Sequence, residues 1–142
     1  MPTMIQILRS ASLCLLIFLG SFQLQANEQN WATIAEQIVH FIDDAEKHYQ
    51  ADNLKSAKQS IIKAYFGVFE DQKMEAAMRQ ELGSKHTYQV ERLFGNLRKA
   101  MTKGASHDET AAIAQSIREA MRRDAKKLDQ AAIPLNVFRV NQ

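Results

Sequence analysis

Trp31, Ile34, Ala35, Ile38, Phe41, Ile42, Ala45 and Tyr49 recur at spacings of three and four, which draws one wide apolar stripe along a helix from about Asn30 to Tyr49. Glu36, His40, Asp43, Asp44 and Lys47 fall on the opposite face and read as a solvated surface. Asp52 and Asn53 supply a turn and an N-cap. A second helix is expected from about Leu54 to Leu82, with Gly83 placed to end it through a left-handed residue. A third, from about Lys85 to Lys103, turns Val90, Phe94, Leu97 and Met101 inward and stops at Gly104. Ser106-His107-Asp108-Glu109 has the S-x-x-E form in which the serine and the glutamate each satisfy a backbone donor at a helix start. The fourth helix follows to about Ala131, with Ile113, Ile117, Ala120, Met121 and Leu128 inward. Pro134, lacking an amide hydrogen, halts it. Short links make consecutive helices antiparallel, so the expected fold is all-α, an up-down-up-down four-helix bundle. The tail carries Val137, Phe138 and Val140, and the pattern leaves open whether it folds back onto the bundle or docks elsewhere.

The pattern ahead of the first stripe is different. Arg9 is the single charge in the first 26 residues and precedes the apolar run Ser10 to Gly20, which has the length of a signal-peptide core and is too short to span a membrane. The stretch FQLQA sets Ala26 at the cleavage point, with Leu24 at the position three before the cut. Residues 1–26 are therefore expected to be a signal peptide, and residues 27–142 the bundle domain, exported to the periplasm. Cys14, the one cysteine, lies in the segment removed, and ASLC has Leu where a lipid-anchor signal takes a small residue. A mature domain without thiols excludes cysteine zinc sites, C-x-x-C-H haem attachment, thiol catalysis and disulfides.

Composition agrees with one helical domain: 142 residues hold only five Gly and two Pro. Without Arg9 the 18 Lys and Arg become 17, against 16 Asp and Glu, which argues against a phosphate-driven nucleic-acid surface. No later segment is apolar enough to cross a membrane.

The second half of the second helix carries the most information. Extending the pattern from Ile61, Tyr65 and Val68 places Gln72, Glu75, Arg79 and Leu82 inward, and three of these are polar. Either the helix changes phase near Asp71 to Lys73, turning Met74, Ala77 and Met78 inward, or the bundle encloses polar groups there; a local bulge allows both. Glu75 lies eight residues before Gly83 and Glu91 eight after it, so the two carboxylates share a layer. They are then either the partners of Arg79, Arg92, Arg118 or Arg122, or part of an oxygen-rich metal site of the kind that carboxylates on facing helices build. The Glu-x-x-His form usual in such bundles is absent. Asp124 interrupts the stripe of the fourth helix, and reflection about Gly104 brings it near His86, Arg79 and Gln80, with an ion pair to Arg79 expected and His86 read as solvated.

Other candidates have simpler readings. Met74 and Met78 offer thioethers to a soft ion such as Cu(I), or fill the core. Tyr65, Phe66, Phe69 and Trp31 suit a porphyrin pocket, or again a core. No nucleophile elbow or triad signature appears, so no enzymatic activity is expected.

Ala64 to Arg79 reads AYFGVFEDQKMEAAMR and Tyr88 to Met101 reads YQVERLFGNLRKAM. With Tyr65, Phe66, Phe69, Glu70, Met74, Glu75, Val90, Glu91, Phe94, Leu97 and Arg98 at the matching positions, these stretches resemble the extracytoplasmic helical domain of bacterial high-affinity iron permeases. The Arg-Glu-x-x-Glu motifs and spanning helices of those permeases are absent, so the resemblance implies a detached periplasmic module acting beside a membrane iron permease or another periplasmic transport component. It implies iron as the ion bound, and Glu70, Glu75 and Glu91 as the acidic positions that bind it. Glu70 falls outside the predicted seam. The alternatives are a helical interaction module that docks on a transporter without binding metal, and a periplasmic b-type haem or copper carrier.

Overall fold

A computed structural model describes residues 30–136, which form α1 (Trp31–Gln50), α2 (Leu54–Ile62), a π-helical segment (Lys63–Glu70), α3 (Met74–Glu81), α4 (Ser84–Thr102) and α5 (His107–Gln130). The fold is all-helical, with no strand among the described residues. The expected signal peptide and Val137, Phe138 and Val140 lie outside the described residues.

The caps follow the sequence. Asn30 accepts from the amide of Thr33, Asn53 from that of Ser56 and Ser106 from that of Glu109, each satisfying a donor that a helix start leaves free. Gly83 and Gly104 turn the chain at φ of 90° and 71°, where a side chain would be strained. A further cap crosses the molecule: Asp129 of α5 accepts from the amides of Trp31 and Ala32 at 2.9 and 3.0 Å. Beyond α5 the chain returns to α1, where the Trp31 indole donates to the Ile133 carbonyl at 2.6 Å.

α1 packs along α5 on one side and α2 on the other, and α4 packs on α5, α2 and α3. Ile38, Ile42, Phe69, Leu97, Met121 and Leu128 are among the side chains fully enclosed between them.

One element departs from expectation. The single helix from Leu54 to Leu82 is instead α2, the π-helical segment, a turn at Asp71 to Lys73 and α3. The amide of Asp71 bonds the carbonyl of Phe66, five residues back, and Lys73 sits in the left-handed region at φ 66°. The wider turn shifts the helix phase. Ala64, Val68 and Phe69 are buried, the next buried residue is Met74, five positions on, and Ala77 and Met78 follow. The three-four pattern would have placed Gln72, Glu75 and Arg79 there; the structure gives those places to apolar side chains and moves the polar ones to the rim. Burial of two methionines and an alanine in place of two amphipathic chains and a carboxylate is the physical reason for the break.

Candidate functional site

The rim so formed lies between the π segment, α3 and α4. Glu75 on α3 and Glu91 on α4 face one guanidinium. Arg79 donates through Nε and Nη2 to Glu75 Oε1 at 2.8 and 2.6 Å, and through Nη2 to Glu91 Oε1 at 2.5 Å. The two carboxylates thus share a layer, and of the pairings open to them in the sequence it is Arg79 that they take. Both are largely shielded, at 17% and 15% exposure, while Arg79 is 44% exposed and closes the cluster from the solvent side. Glu70, the last residue of the π segment, lines the adjoining depression together with Glu75 and Arg79.

Electrostatics ties the three acids to one more group. Burial pushes the Tyr65 phenol up to about 12, and Glu91, Glu75 and Glu70 add to the shift in that order, with Arg79 opposing it. Glu91 is itself raised above the ordinary carboxylate range, first by burial and then by the negative charge of Glu75, which together outweigh Arg79. Arg79, held by Glu75 and Glu91, is raised in turn. With Asp71 and Lys73, which line the same depression, acids outnumber cations here, an arrangement that favours a further positive charge. As the side chains stand, no three His, Cys, Asp or Glu among the described residues converge on one point. A cation entering here has to displace Arg79.

Tyr65 was missed as a member of this group in the sequence. Its spacing of five from Glu70 matches no α-helical face, and the two lie instead in one π-helical segment. Its ring is anchored by edge contacts with Phe66 and Phe94, with centroids 4.8 and 5.4 Å apart, and by Phe69 at 5.8 Å.

The remaining candidates resolve as follows. Asp124 is fully buried, but its partners are His86, at 2.7 Å from Nε2, and Arg123, at 2.9 Å from Nε. The expected pair with Arg79 is not formed, because the phase shift of α3 turns Arg79 toward Glu75 and Glu91. His86 is correspondingly not solvated but 29% exposed and bonded to Asp124, tying the start of α4 to α5. The outer face of α1 is also less free than its pattern suggests: Glu36 accepts from Arg122 at 2.7 and 2.9 Å, and Asp43 from Arg118. Met74 and Met78 are enclosed in the core, so neither thioether faces solvent. Trp31 is buried against the chain beyond α5, and Phe69 stacks on Phe94.

Compared with known proteins, the chain matches no family model, no curated sequence and no solved structure at a significant level.

Proposed function

We propose that this protein is a periplasmic accessory factor of iron uptake that binds iron through Glu70, Glu75 and Glu91 and passes it to a membrane permease, without catalytic turnover. In this reading the domain is an up-down-up-down four-helix bundle whose second leg is α2, the π segment and α3 together. The observation that carries it is the meeting of the Glu75 and Glu91 carboxylates, from two helices, on the one guanidinium of Arg79, with Glu70 lining the adjoining depression. Hard cations take oxygen ligands, and a cluster with more acids than bases binds a cation by exchanging it for its own counter-ion. Arg79, nearly half exposed on its side chain, can swing into solvent without opening the core. A long π-helical segment is uncommon, and such segments occur frequently at functional sites. No helix among the described residues is long and apolar enough to cross a membrane, which accords with action beside a transporter.

Calorimetric titration of the metal-free protein with Fe(II) and with chelated Fe(III) tests the reading. Binding tighter than about millimolar is expected, reduced at least about tenfold in Glu75→Gln/Glu91→Gln. An unchanged affinity in the double variant, or no heat beyond dilution, sinks it.

A second reading, an interaction module docking on a transporter, is favoured by Ile62, Phe66 and Tyr88, large apolar side chains left 41%, 56% and 58% exposed. Loss of association with membranes holding the permease on Phe66→Asp, with iron affinity intact, separates the two.

A further inference from the structure

The outer face between the π segment and α4 holds a cleft of about 210 Å³, floored by Ile61, Tyr65 and Phe94 and edged by Ile62 and Phe66. Gly95 widens it on the α4 side, since nothing lies within 4 Å of where its Cβ would be. Charge is sorted along this cleft. Arg98 stands at one end, seven residues and so two turns along α4 from Glu91. Lys58, one turn before Ile62, lies on the same side of α2 and toward the same end. Neither cation has an ion-pair partner among the described residues. At the other end Phe66 also borders the depression lined by Glu70, Asp71 and Glu75 with Lys73 and Arg79, and Glu75 and Glu91 share Arg79 there, so acids outnumber cations at this end.

The strip therefore reads cationic, apolar, acidic. Rotation by half a turn about an axis through its middle lays the cationic end on an acidic end and the apolar centre on an apolar centre. That is the self-complementarity a two-fold contact requires, the same patch serving on both sides. We propose that this face is the interface between two copies of this chain in solution, with Phe66 and Ile62 of each copy seated in the cleft of the other and Lys58 and Arg98 of each facing Glu70 and Glu91 of the other. A helix from an unrelated partner would need apolar anchors and a matching charge gradient of its own; a second copy carries both. The contact is apolar at its centre and charged at its rim, so it weakens as salt rises.

Sedimentation velocity of the purified protein at about 100 μM in low salt reads the outcome directly. A dimer is expected, dissociating on dilution and in high salt. Phe66→Asp, at an exposed position, is expected to give a monomer with an unchanged helical circular dichroism spectrum. Arg98→Glu is expected to weaken dimerisation about tenfold, since each reversed charge acts twice in a two-fold contact, and Arg98→Glu/Glu70→Arg to restore it. A monomer at every concentration overturns the proposal. So does a dimer indifferent to both Phe66→Asp and Arg98→Glu, which would use another face.

Discussion

The two long sides of this molecule treat their charges in opposite ways. Along α1 and α5, arginines and acids meet across the seam: Arg118 bonds Asp43 and Glu46, Arg122 holds Glu36 in a two-pronged grip, and Asp129 caps the first turn of α1. Along α2, the π segment and α4, Lys58 and Arg98 have no acidic partner among the described residues, Ile62 and Phe66 face solvent, and two carboxylates share one guanidinium. The contrast is sharpest in two glutamates that both sit beside an arginine. Glu36 lies below the ordinary carboxylate range because the Arg122 hydrogen bonds dominate, whereas Glu91 lies above it because burial and Glu75 outweigh Arg79. One side pairs its charges across the seam; the other keeps exposed apolar side chains and cations without acidic partners among the described residues.

The largest effect expected on the structural side belongs to Asp124. It is fully buried and carries His86 and Arg123, so Asp124→Ala should cost about 3 kcal/mol in urea unfolding, the scale for breaking a buried charge pair. Asp129→Ala, which frees the two amides at the head of α1, should cost about 1–2 kcal/mol. If either proves neutral, the α5 side is not the structural one. Substitutions on the other side should be nearly silent in stability: Arg98→Ala and Phe66→Ser are expected to stay within about 0.5 kcal/mol, and a loss above about 2 kcal/mol would break the contrast from its other end.

Dependence on pH refines the comparison with smaller effects. Glu36, lowered from 4.5, contributes stability that is present above that value and lost as pH falls through its folded value. Glu91, raised from 4.5, does the reverse: the folded state prefers it protonated, so stability falls as pH rises from 4.5 through its folded value. Glu36→Gln should therefore flatten the acid side of the stability curve, and Glu91→Gln should stabilise the protein slightly near neutrality. In an alkaline absorbance titration Tyr65 should ionise near 12, and Tyr65→Phe should remove that step. A Tyr65 step at the ordinary value of 10 would separate the phenol from the carboxylates.

Much of this was legible along the chain. The stripes of α1, α4 and α5, the caps at Asn53 and Ser106 and the turns at Gly83 and Gly104 rest on local rules, and those rules held, except that of the S-x-x-E pair only the serine bond to the Glu109 amide is formed. Level counting about Gly83 brought Glu75 to Glu91, because two helices joined by a tight turn keep register near it. Counting about Gly104 likewise brought Asp124 to His86, but the expected pair of Asp124 with Arg79 failed, because it needed the phase of α3. That phase is set by a π turn and a left-handed Lys73, and neither has a sequence signal that a three-four pattern can register. The same blind spot hid Tyr65, and pairing across α1 and α5 hid the partners of Glu36 and Asp43, whose exposure made them look solvated.

Arg79 decides between the two descriptions of the carboxylate cluster. If Glu75 and Glu91 exist to pair with it, removing it harms whatever they do; if it is the counter-ion of a cation site, removing it leaves the acids unpaired and eager for another charge. Calorimetric titration of iron into Arg79→Ala beside the unmodified protein tests this most directly, with circular dichroism to show that the helices persist. The account predicts iron affinity about tenfold tighter in Arg79→Ala and unchanged in Arg122→Ala on the structural side. An affinity in Arg79→Ala that is equal or weaker would contradict it.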